Sequence, residues 1–470
     1  MVIGAQQSGV GLATVTGAGS QWTLTSGGQA DVGASGIGRL EILDGGVVTT
    51  TQSGQMRIAA NTSSHGTVDV DGQGSLLNMN TLSLGATPTT SGSALLRISN
   101  GAIVNSPSSQ NQISPQGRVE LDGGLLRTGQ LTHSGVITGS GEVLVTATSN
   151  MNNNGRIEAG AGDLLRMNGS MINFQNQGIV TADGGTIEFQ RAVINNPSGI
   201  NSGEITLRNG LMRAGTLVTN GPQLTNSSVL AATGGLNDFY GRITNMAGGD
   251  IAVTNQSVMI FHDHVTADGG TITVFPGSSA VFLEDLTVGA GAVLLADLAG
   301  TMADTGFGQI EVIGTAQLAG ALDVTLANGF TPEAGDYFPL LAAGGIGGSL
   351  SLGSVPELPA NLAWNLDADA HRVVLNVVPA LPGDYNVDGS VDAADFVVWR
   401  RMVGQAGNGL VADGDFSGEV DSGDYDIWLS HFGETLAGAG ADGAAIPESA
   451  TLASFLIGIM VLCSGRRMLH

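Results

Sequence analysis

Carboxylates are concentrated in two short stretches, DYNVDGSVDAAD at residues 384–395 and DGDFSGEVDSGD at residues 413–424, although only 12% of the chain is charged. Within each stretch they recur at alternating positions around one glycine, Gly389 or Gly418. Alternate side chains of a tight loop converge on one point, and Ca²⁺ is a hard cation that takes six to eight oxygen ligands. The pattern therefore predicts two calcium sites.

The spacing within each stretch is that of an EF-hand-type loop, with ligands at positions 1, 3, 5, 7, 9 and 12. The first predicted site consists of Asp384, Asn386, Asp388, the carbonyl of Ser390, Asp392 and Asp395. The second consists of Asp413, Asp415, Ser417, the carbonyl of Glu419, Asp421 and Asp424. Ser417 is a weaker ligand than an aspartate, so we expect the second site to bind less tightly. The alternative is an acidic surface loop, or a cluster of Asx turns, that holds no metal.

The two stretches are copies of one unit, offset by 29 residues with their aromatic residues in step (Phe396 with Tyr425, Trp399 with Trp428). Helices are predicted at about 395–402 and 424–432, with apolar stripes able to pack together: Val398, Trp399 and Met402 on the first, and Ile427, Trp428 and Phe432 on the second. The twelfth position is Asp in both loops. With that residue and the duplication, residues 383–433 resemble a type I dockerin, which implies a small all-α module with two calcium ions held by the positions named above.

The resemblance also bears on partners. Dockerins of cellulolytic assemblies bind cohesins through late loop positions that often carry hydroxyls, whereas this chain has Ala393-Ala394 and Ser422-Gly423 there. Two alternatives stay open, a cohesin-like partner and a contact within the same chain. Four aspartates in each loop repel one another without metal, so we expect the module to be loose or unfolded without calcium.

The N-terminal part of the chain is repetitive. Apolar-small pairs at Val32-Gly33, Ile58-Ala59 and Leu84-Gly85 are 26 residues apart, and the strands that follow, Leu40-Glu41-Ile42, Val68-Asp69-Val70 and Leu96-Arg97-Ile98, are 28 apart. Looser copies follow at Val119-Glu120-Leu121, Ile187-Glu188-Phe189, Ile205-Thr206-Leu207 and Ile272-Thr273-Val274. Such units bury their apolar faces only when stacked. The fold class predicted is therefore mainly β, a right-handed β-helix or solenoid.

These repeats resemble the autotransporter-like repeats of bacterial surface proteins, especially planctomycete-type exported proteins, over residues 1–300. Residues 301–380 are predicted to form a terminal β region or cap. The register is already running at Ile3-Gly4, 29 residues before Val32-Gly33, so we expect that the true N-terminus, with any signal peptide, precedes this sequence. The alternative is a short natural start stabilised by a partner.

The C-terminal end reads as a Gly/Ala linker at 434–446 and a tail at 447–470. The tail has Pro447-Glu448, an apolar run from Ala450 to Ser464, and Arg466-Arg467. This order resembles a PEP-CTERM sorting signal, although Ser449 stands where that family has proline. The resemblance implies a C-terminal apolar helix, an exosortase-like sorting protease, and a body that is exported to the cell surface, the outer membrane or the medium. The alternatives are a plain membrane anchor and a helix that packs on the body.

Charge and composition limit the function. The net charge is −25 and the sixteen basic residues are all arginines, which argues against nucleic acid as a partner. His262 and His264 could bind a metal, but the spacing supplies no further ligands, and no general acid–base pair stands out. We therefore expect a non-catalytic cell-surface protein, adhesin- or stalk-like. The second hypothesis is a component of polysaccharide binding or catabolism, which a groove with three or more convergent acidic or Arg side chains would favour.

Overall fold

The computed structural model describes residues 1–436 except 26–27, 51–52, 62, 86–91, 197–202, 216–220, 222 and 304. The described chain is mainly β and contains only two helices. Its strands build a parallel β-solenoid of about 12 turns. The predicted solenoid is therefore confirmed. The predicted tail, its apolar helix and the linker beyond residue 436 lie outside the described residues.

Successive turns of the solenoid stack into three ladders of parallel strands. The first ladder contains Val2–Ile3, Ala30–Val32, Gln55–Ile58, Thr81–Leu84, Asn111–Ile113, Leu131–His133, Met151–Asn153, Phe174–Asn176, Val193–Asn195, Leu224–Asn226, Ile243–Asn245, Val265–Ala267 and Leu286–Val288. The second contains Val10–Thr16, Ile37–Leu43, His65–Asp71, Ser93–Ser99, Gly117–Thr128, Val136–Val145, Arg156–Ala159, Ile179–Asp183, Glu204–Arg208, Val229–Ala232, Asp250–Val253, Thr271–Val274, Val293–Leu298, Ala321–Leu326 and Ser351–Leu352. The third contains Gln21–Leu24, Val47–Thr50, Leu76–Asn78, Ile103–Ser106, Leu164–Gly169, Thr186–Phe189, Leu211–Arg213, Leu236–Tyr240, Val258–Phe261, Ser279–Phe282, Gln309–Leu318 and Tyr337–Gly348. The long strands Gly117–Thr128 and Val136–Val145 also pair within the third ladder.

The repeat register predicted from the sequence is the register of the solenoid. Val32 pairs with Ile58, and Ile58 pairs with Leu84, along the first ladder. The register also includes Ile3, which pairs with Val32. Leu40 is a partner of Val68 in the second ladder. These side chains alternate with outward ones along each strand and are buried inside the coil.

The looser copies divide between two ladders. The strands that contain Val119, Ile205 and Ile272 belong to the second ladder, like the well-matched repeats. Ile187 instead lies in the third ladder, where it pairs with Leu165 and Met212. The Asp183-Gly184 turn precedes a strand of the third ladder, whereas the Asp268-Gly269 turn precedes a strand of the second. An Asx-Gly turn alone therefore does not assign the next strand to a ladder.

Parallel pairing continues past residue 300 as far as Leu352. The last pairing changes direction, because Tyr337–Gly348 is antiparallel to Arg372–Pro379. A further strand, Leu362–Ala368, precedes this last strand. Reversing direction gives the final turn a partner that does not continue the coil, which is how a parallel stack can end without an open edge.

The chain separates into two compact units. The first comprises Met1–Pro332, Tyr337–Glu357 and Asn365–Asn376, and the second comprises Glu333–Asp336, Leu358–Trp364 and the described chain from Val377 onward. The second unit contains both helices, α1 (Ala393–Met402) and α2 (Ser422–His431). α1 begins two residues before the predicted start, because Asp392 and not Asp395 caps it.

Five buried asparagines are stacked inside the solenoid at the last position of successive first-ladder strands. They are Asn153, Asn176, Asn195, Asn226 and Asn245. The Nδ2 of each of the first four donates to the Oδ1 of the next asparagine, at 2.8, 2.9, 2.7 and 2.8 Å. A buried amide without partners costs about 1–3 kcal/mol, and here the stack satisfies its own members. We call this set the asparagine ladder.

His133 occupies the ladder position one turn before Asn153. It is fully buried, its Nε2 lies 3.1 Å from the carbonyl oxygen of Arg156, and its Nδ1 has no hydrogen-bond partner. Burial lowers the pKa of His133 to about 4, because the charged imidazolium would lose its hydration. The ring is therefore neutral in the folded protein at neutral pH.

His133 makes the solenoid sensitive to acid. The unfolded chain protonates this histidine below about pH 6.5 and the folded chain only below about pH 4, so stability falls as the pH drops through that window. We expect His133 to account for a loss of about 2–3 kcal/mol between pH 7 and pH 4.5. The variant His133→Asn, whose amide would extend the asparagine ladder, should lack this loss. Urea unfolding at both pH values measures it, and an equal loss in parent and variant would contradict the assignment.

Candidate metal centre

The two acidic loops have the same backbone conformation. Their fourth residues, Val387 and Phe416, have φ angles of 58° and 59°, in the left-handed region that non-glycine residues rarely adopt. Their sixth residues, Gly389 and Gly418, have φ angles of 88° and 85°. Glycine is required at the sixth position because it reaches such angles without a steric penalty. The sequence duplication is thus a duplication of loop geometry.

Each loop leads into a helix through a capping box. The Asp392 side chain accepts a hydrogen bond from the Ala394 amide at 2.6 Å, and Asp395 Oδ2 accepts one from the Asp392 amide at 2.8 Å. Asp421 and Asp424 repeat the arrangement at α2. The twelfth residue of each loop therefore lies in the first helical turn, as predicted. It reaches back into the loop because the capping box fixes its direction.

The first and twelfth carboxylates form the centre of each loop. Asp384 accepts hydrogen bonds from the amides of Asp388 and Gly389, at 3.1 and 2.8 Å, and Asp395 Oδ1 accepts one from the Asn386 amide at 2.9 Å. Both carboxylates are fully buried. Backbone amides thus hold them side by side, in positions where like charges would otherwise separate.

The second loop repeats these bonds. Asp413 accepts from the amides of Ser417 and Gly418, at 3.0 and 2.9 Å, and Asp424 Oδ1 accepts from the Gly414 amide at 2.6 Å. Oxygens of Asp413, Asp415 and Asp424 lie within 4.8 Å of one another. In the described part of the chain, this is the group of three or more His, Cys, Asp or Glu residues that is compact enough to hold a metal ion. The first loop has Asn386 where the second has Asp415.

The remaining predicted ligands lie around these centres. Asp388 and Asn386 are linked to each other by a side-chain hydrogen bond of 2.8 Å in the first loop. In the second loop the hydroxyl of Ser417 donates to the carbonyl oxygen of Glu419 at 3.1 Å, so two predicted ligand groups are in contact. The amide of Ser390 is bonded to Asp388 Oδ1 at 3.0 Å. These contacts bring polar groups of each loop together, and their assignment as calcium ligands stays a prediction.

Burial raises the pKa of Asp384, Asp395 and Asp413, and neighbouring carboxylates add to the effect for each of them. Burial and the charges of Asp424 and Asp415 also raise the pKa of the Tyr385 phenol. A carboxylate with a raised pKa is one whose negative charge is poorly compensated. A cation at the loop centre would supply the missing compensation.

A local two-fold symmetry relates the two loops. Val391 exchanges backbone hydrogen bonds with Gly433 and Glu434 beyond α2, and Val420, 29 residues later, does the same with Gly404 and Gln405 beyond α1. The tryptophans repeat the exchange. Trp399 Nε1 donates to the Asp421 carbonyl and Trp428 Nε1 to the Asp392 carbonyl, both at 2.8 Å. Each helix therefore supports the loop of the other copy.

Tyr385 breaks this symmetry. Its hydroxyl donates to the Asp424 carbonyl at 2.7 Å, and its ring lies in the core with Ala412 and Val420. The equivalent residue of the second loop is Gly414, where a Cβ would lie 2.7 Å from the tyrosine oxygen. The sequence predicted apolar helix stripes, and Val398, Trp399, Met402 and Trp428 do pack on this core. The roles of Tyr385 and of the indole nitrogens were missed, because no repeat position signals a partner in the other copy.

The histidine pair has other contacts. His262 Nε2 lies 2.7 Å from Asp238 Oδ1, and its ring stacks on Tyr240 at 3.7 Å between centroids. His264 Nε2 lies 3.5 Å from the Thr287 hydroxyl. In the described chain neither histidine belongs to a group of three potential metal ligands.

Six charged residues converge on the outer face of the second ladder. Arg39 bonds to Asp69 and Glu41, Arg97 bonds to Asp69 and Glu120, and Arg118 bonds to Glu120, at distances of 2.8–3.4 Å. These residues lie on neighbouring turns, which stacking brings into register. We call this set the charged cluster.

No protein-family model matches the chain, and a search of curated protein sequences found no match either. Over the residues that the structure describes, neither helix has the length and apolar character needed to cross a membrane.

The exchanged tryptophans yield a prediction for the loops. In Trp399→Phe the Asp421 carbonyl loses its indole donor, so the second loop should open more readily by about 1 kcal/mol. Trp428→Phe should do the same to the first loop. Hydrogen exchange of residues 384–395 and 413–424 in the full chain, followed by mass spectrometry, separates the two effects. The exposed Val397→Ala on α1 is the control. If Trp399→Phe accelerated hydrogen exchange only in the first loop, or Trp428→Phe only in the second, the exchanged tryptophan contacts would be contradicted.

Proposed function

We propose that residues 383–433 form a dockerin-like, EF-hand-type calcium module that holds one Ca²⁺ in each loop. The observation that carries this proposal is the repeated geometry, in which two loops with left-handed fourth and sixth residues bring buried aspartates to their centres. The carboxyls of Asp384, Asp395 and Asp413 have raised pKa values and no arginine bonded to them among their described contacts. A calcium ion is the ligand whose charge and oxygen preference match such a centre.

For the whole chain we infer a non-catalytic, exported cell-surface protein, adhesin- or stalk-like. In this proposal the solenoid, with the right hand expected of such coils, is the body. The calcium module docks a cohesin-like partner or stabilises its own chain. The tail at 447–470 forms an apolar helix that an exosortase-like protease handles. Support comes from the sequence of the tail and from the solenoid, whose strands stack into three parallel ladders.

Polysaccharide binding or catabolism is the second candidate, and the charged cluster is the observation that favours it. Three carboxylates and three arginines converge there on one face. Arginine and carboxylate side chains can bond sugar hydroxyls, and arginines can bond acidic sugars in a bidentate manner. All six side chains already bond to one another, so a sugar would have to compete with these pairs.

The calcium proposal predicts two ions per chain. Asp395→Ala and Asp424→Ala should each abolish one site, because each removes a buried carboxylate at a loop centre. Isothermal titration of the chelator-treated full chain with CaCl₂ should then give one ion instead of two. Asp426→Asn removes an exposed carboxylate of α2 that bonds to neither loop and is the matched control. The proposal would be refuted if the parent protein bound no calcium. It would also be refuted if all three variants bound as many calcium ions as the parent.

The polysaccharide candidate has its own test. The parent and the variant Arg97→Ala, which breaks the middle of the charged cluster, are incubated with neutral and acidic plant and algal polysaccharides. The assays are co-sedimentation for binding, and release of reducing ends or unsaturated products for cleavage. Binding that Arg97→Ala weakens would support this candidate, whereas neither binding nor product from any polysaccharide would remove it. Arg242→Ala, outside the cluster, controls for the loss of one positive charge.

A further inference from the structure

A short segment of the β region belongs to the same compact unit as the calcium loops. Leu358–Trp364 is flanked in the chain by Tyr337–Glu357 and Asn365–Asn376, which belong to the first unit, yet its own contacts lie with the second. We call this segment the strap. It is covalently continuous on both sides with the part of the chain that contains the last solenoid strands.

Asn361 connects the strap to the first acidic loop. Its Nδ2 donates a hydrogen bond of 2.7 Å to the carbonyl oxygen of Val387, and its own carbonyl accepts one of 2.9 Å from the Ala380 amide. Ala380 lies four residues before Asp384. The asparagine therefore bonds to the start of the loop and to the chain that enters it.

Val387 is the residue at which such a bond has most effect. It stands between Asn386 and Asp388 and has the left-handed φ of 58° that brings these two neighbours to the same side of the loop. A non-glycine residue pays a steric cost for this conformation, so a bond that fixes its peptide stabilises the ligand-binding shape.

The second loop has no equivalent support. Phe416, the residue matched to Val387, has the same φ of 59°, and its side chain is 46% exposed. Among the described residues no hydrogen bond reaches the Phe416 carbonyl. The strap therefore distinguishes two loops that are otherwise near copies.

We propose that Asn361 is a positioning residue for the first calcium loop and that, through it, calcium binding fastens the strap. This inference rests on the proposed calcium function and identifies the contact within the same chain through which that module acts. Pre-forming the loop lowers the conformational cost of binding, so the first site is the tighter one in the full chain. The coupling is reciprocal, so calcium in the first loop also holds the strap in place.

The test measures each site alone in the full chain. Asp424→Ala leaves the first site and Asp395→Ala leaves the second. Adding Asn361→Ala to the first background should raise the calcium dissociation constant about five- to tenfold, which corresponds to the loss of one hydrogen bond. Adding it to the second background should change the constant less than twofold. Asn365→Ala, four residues further along the chain and without a side-chain hydrogen bond in the structure, is the matched control in both backgrounds.

A second measurement tests the reverse direction of the coupling. Hydrogen exchange of residues 358–364 and of the Ala380 amide should slow when calcium is added to the parent or to Asp424→Ala, but not to Asp395→Ala. Equal weakening of both sites by Asn361→Ala would show general destabilisation and overturn the inference. The inference would also be overturned if Asn361→Ala weakened calcium binding at neither site. The same holds if calcium did not change the hydrogen exchange of the strap. A parent that binds no calcium fails at the first titration and refutes the proposed function itself.

Discussion

Parallel stacking of successive turns is the constraint on which the structure of the solenoid depends. In a parallel ladder each residue lies directly above its counterpart, so side chains of one kind form columns along the coil. Apolar columns fill the interior. The same rule admits polar columns, provided that each member bonds to the next. The asparagine ladder is such a column, because the side-chain amides of successive members hydrogen-bond to one another inside the solenoid. A single asparagine at such a site would be a defect, and a series of them is a structural element.

The two acidic loops present the opposite problem, because their buried groups are charged. Asp384 and Asp395 carry like charges into one buried centre, and backbone amides can satisfy their hydrogen bonds but cannot neutralise them. An arginine could neutralise them, as on the solenoid surface, where Glu120 lies between Arg97 and Arg118. Among the described residues, no arginine is bonded to the carboxylates at the loop centres. The interior of the solenoid is thus held by apolar contacts and by hydrogen bonds among its own amides, whereas the proposed calcium module gains much of its stability from a bound ion.

Sequence patterns predicted those features that recur at fixed spacing. Val32, Ile58 and Leu84 lie in the register that their 26-residue spacing indicates, and both loops fold around the predicted positions. The alignment of the asparagine ladder could not be predicted from spacing, because its members are separated by 23, 19, 31 and 19 residues. Turns of different length can end at the same ladder position, since loops between the strands absorb the difference. The alignment of these side chains is set by strand pairing, which a fixed period does not describe.

The sequence did not predict the contacts between the two loop–helix copies or those between distant segments, for a different reason. Trp399 and Trp428 were predicted as apolar stripe residues, yet each also donates a hydrogen bond to the opposite loop. Asn361 lies 26 residues before Val387 in a segment with no repeat of its own. Such contacts depend on which distant segments the tertiary fold brings together, and neither composition nor residue spacing predicts this. Asn361 of the strap hydrogen-bonds to the first of the two duplicated loops, so the duplication of the sequence does not account for this contact. The two loops have nearly the same backbone geometry, but in the described chain only the first receives an asparagine side chain from another segment. Under the proposed calcium function, this asymmetry gives the two sites different affinities for the ion.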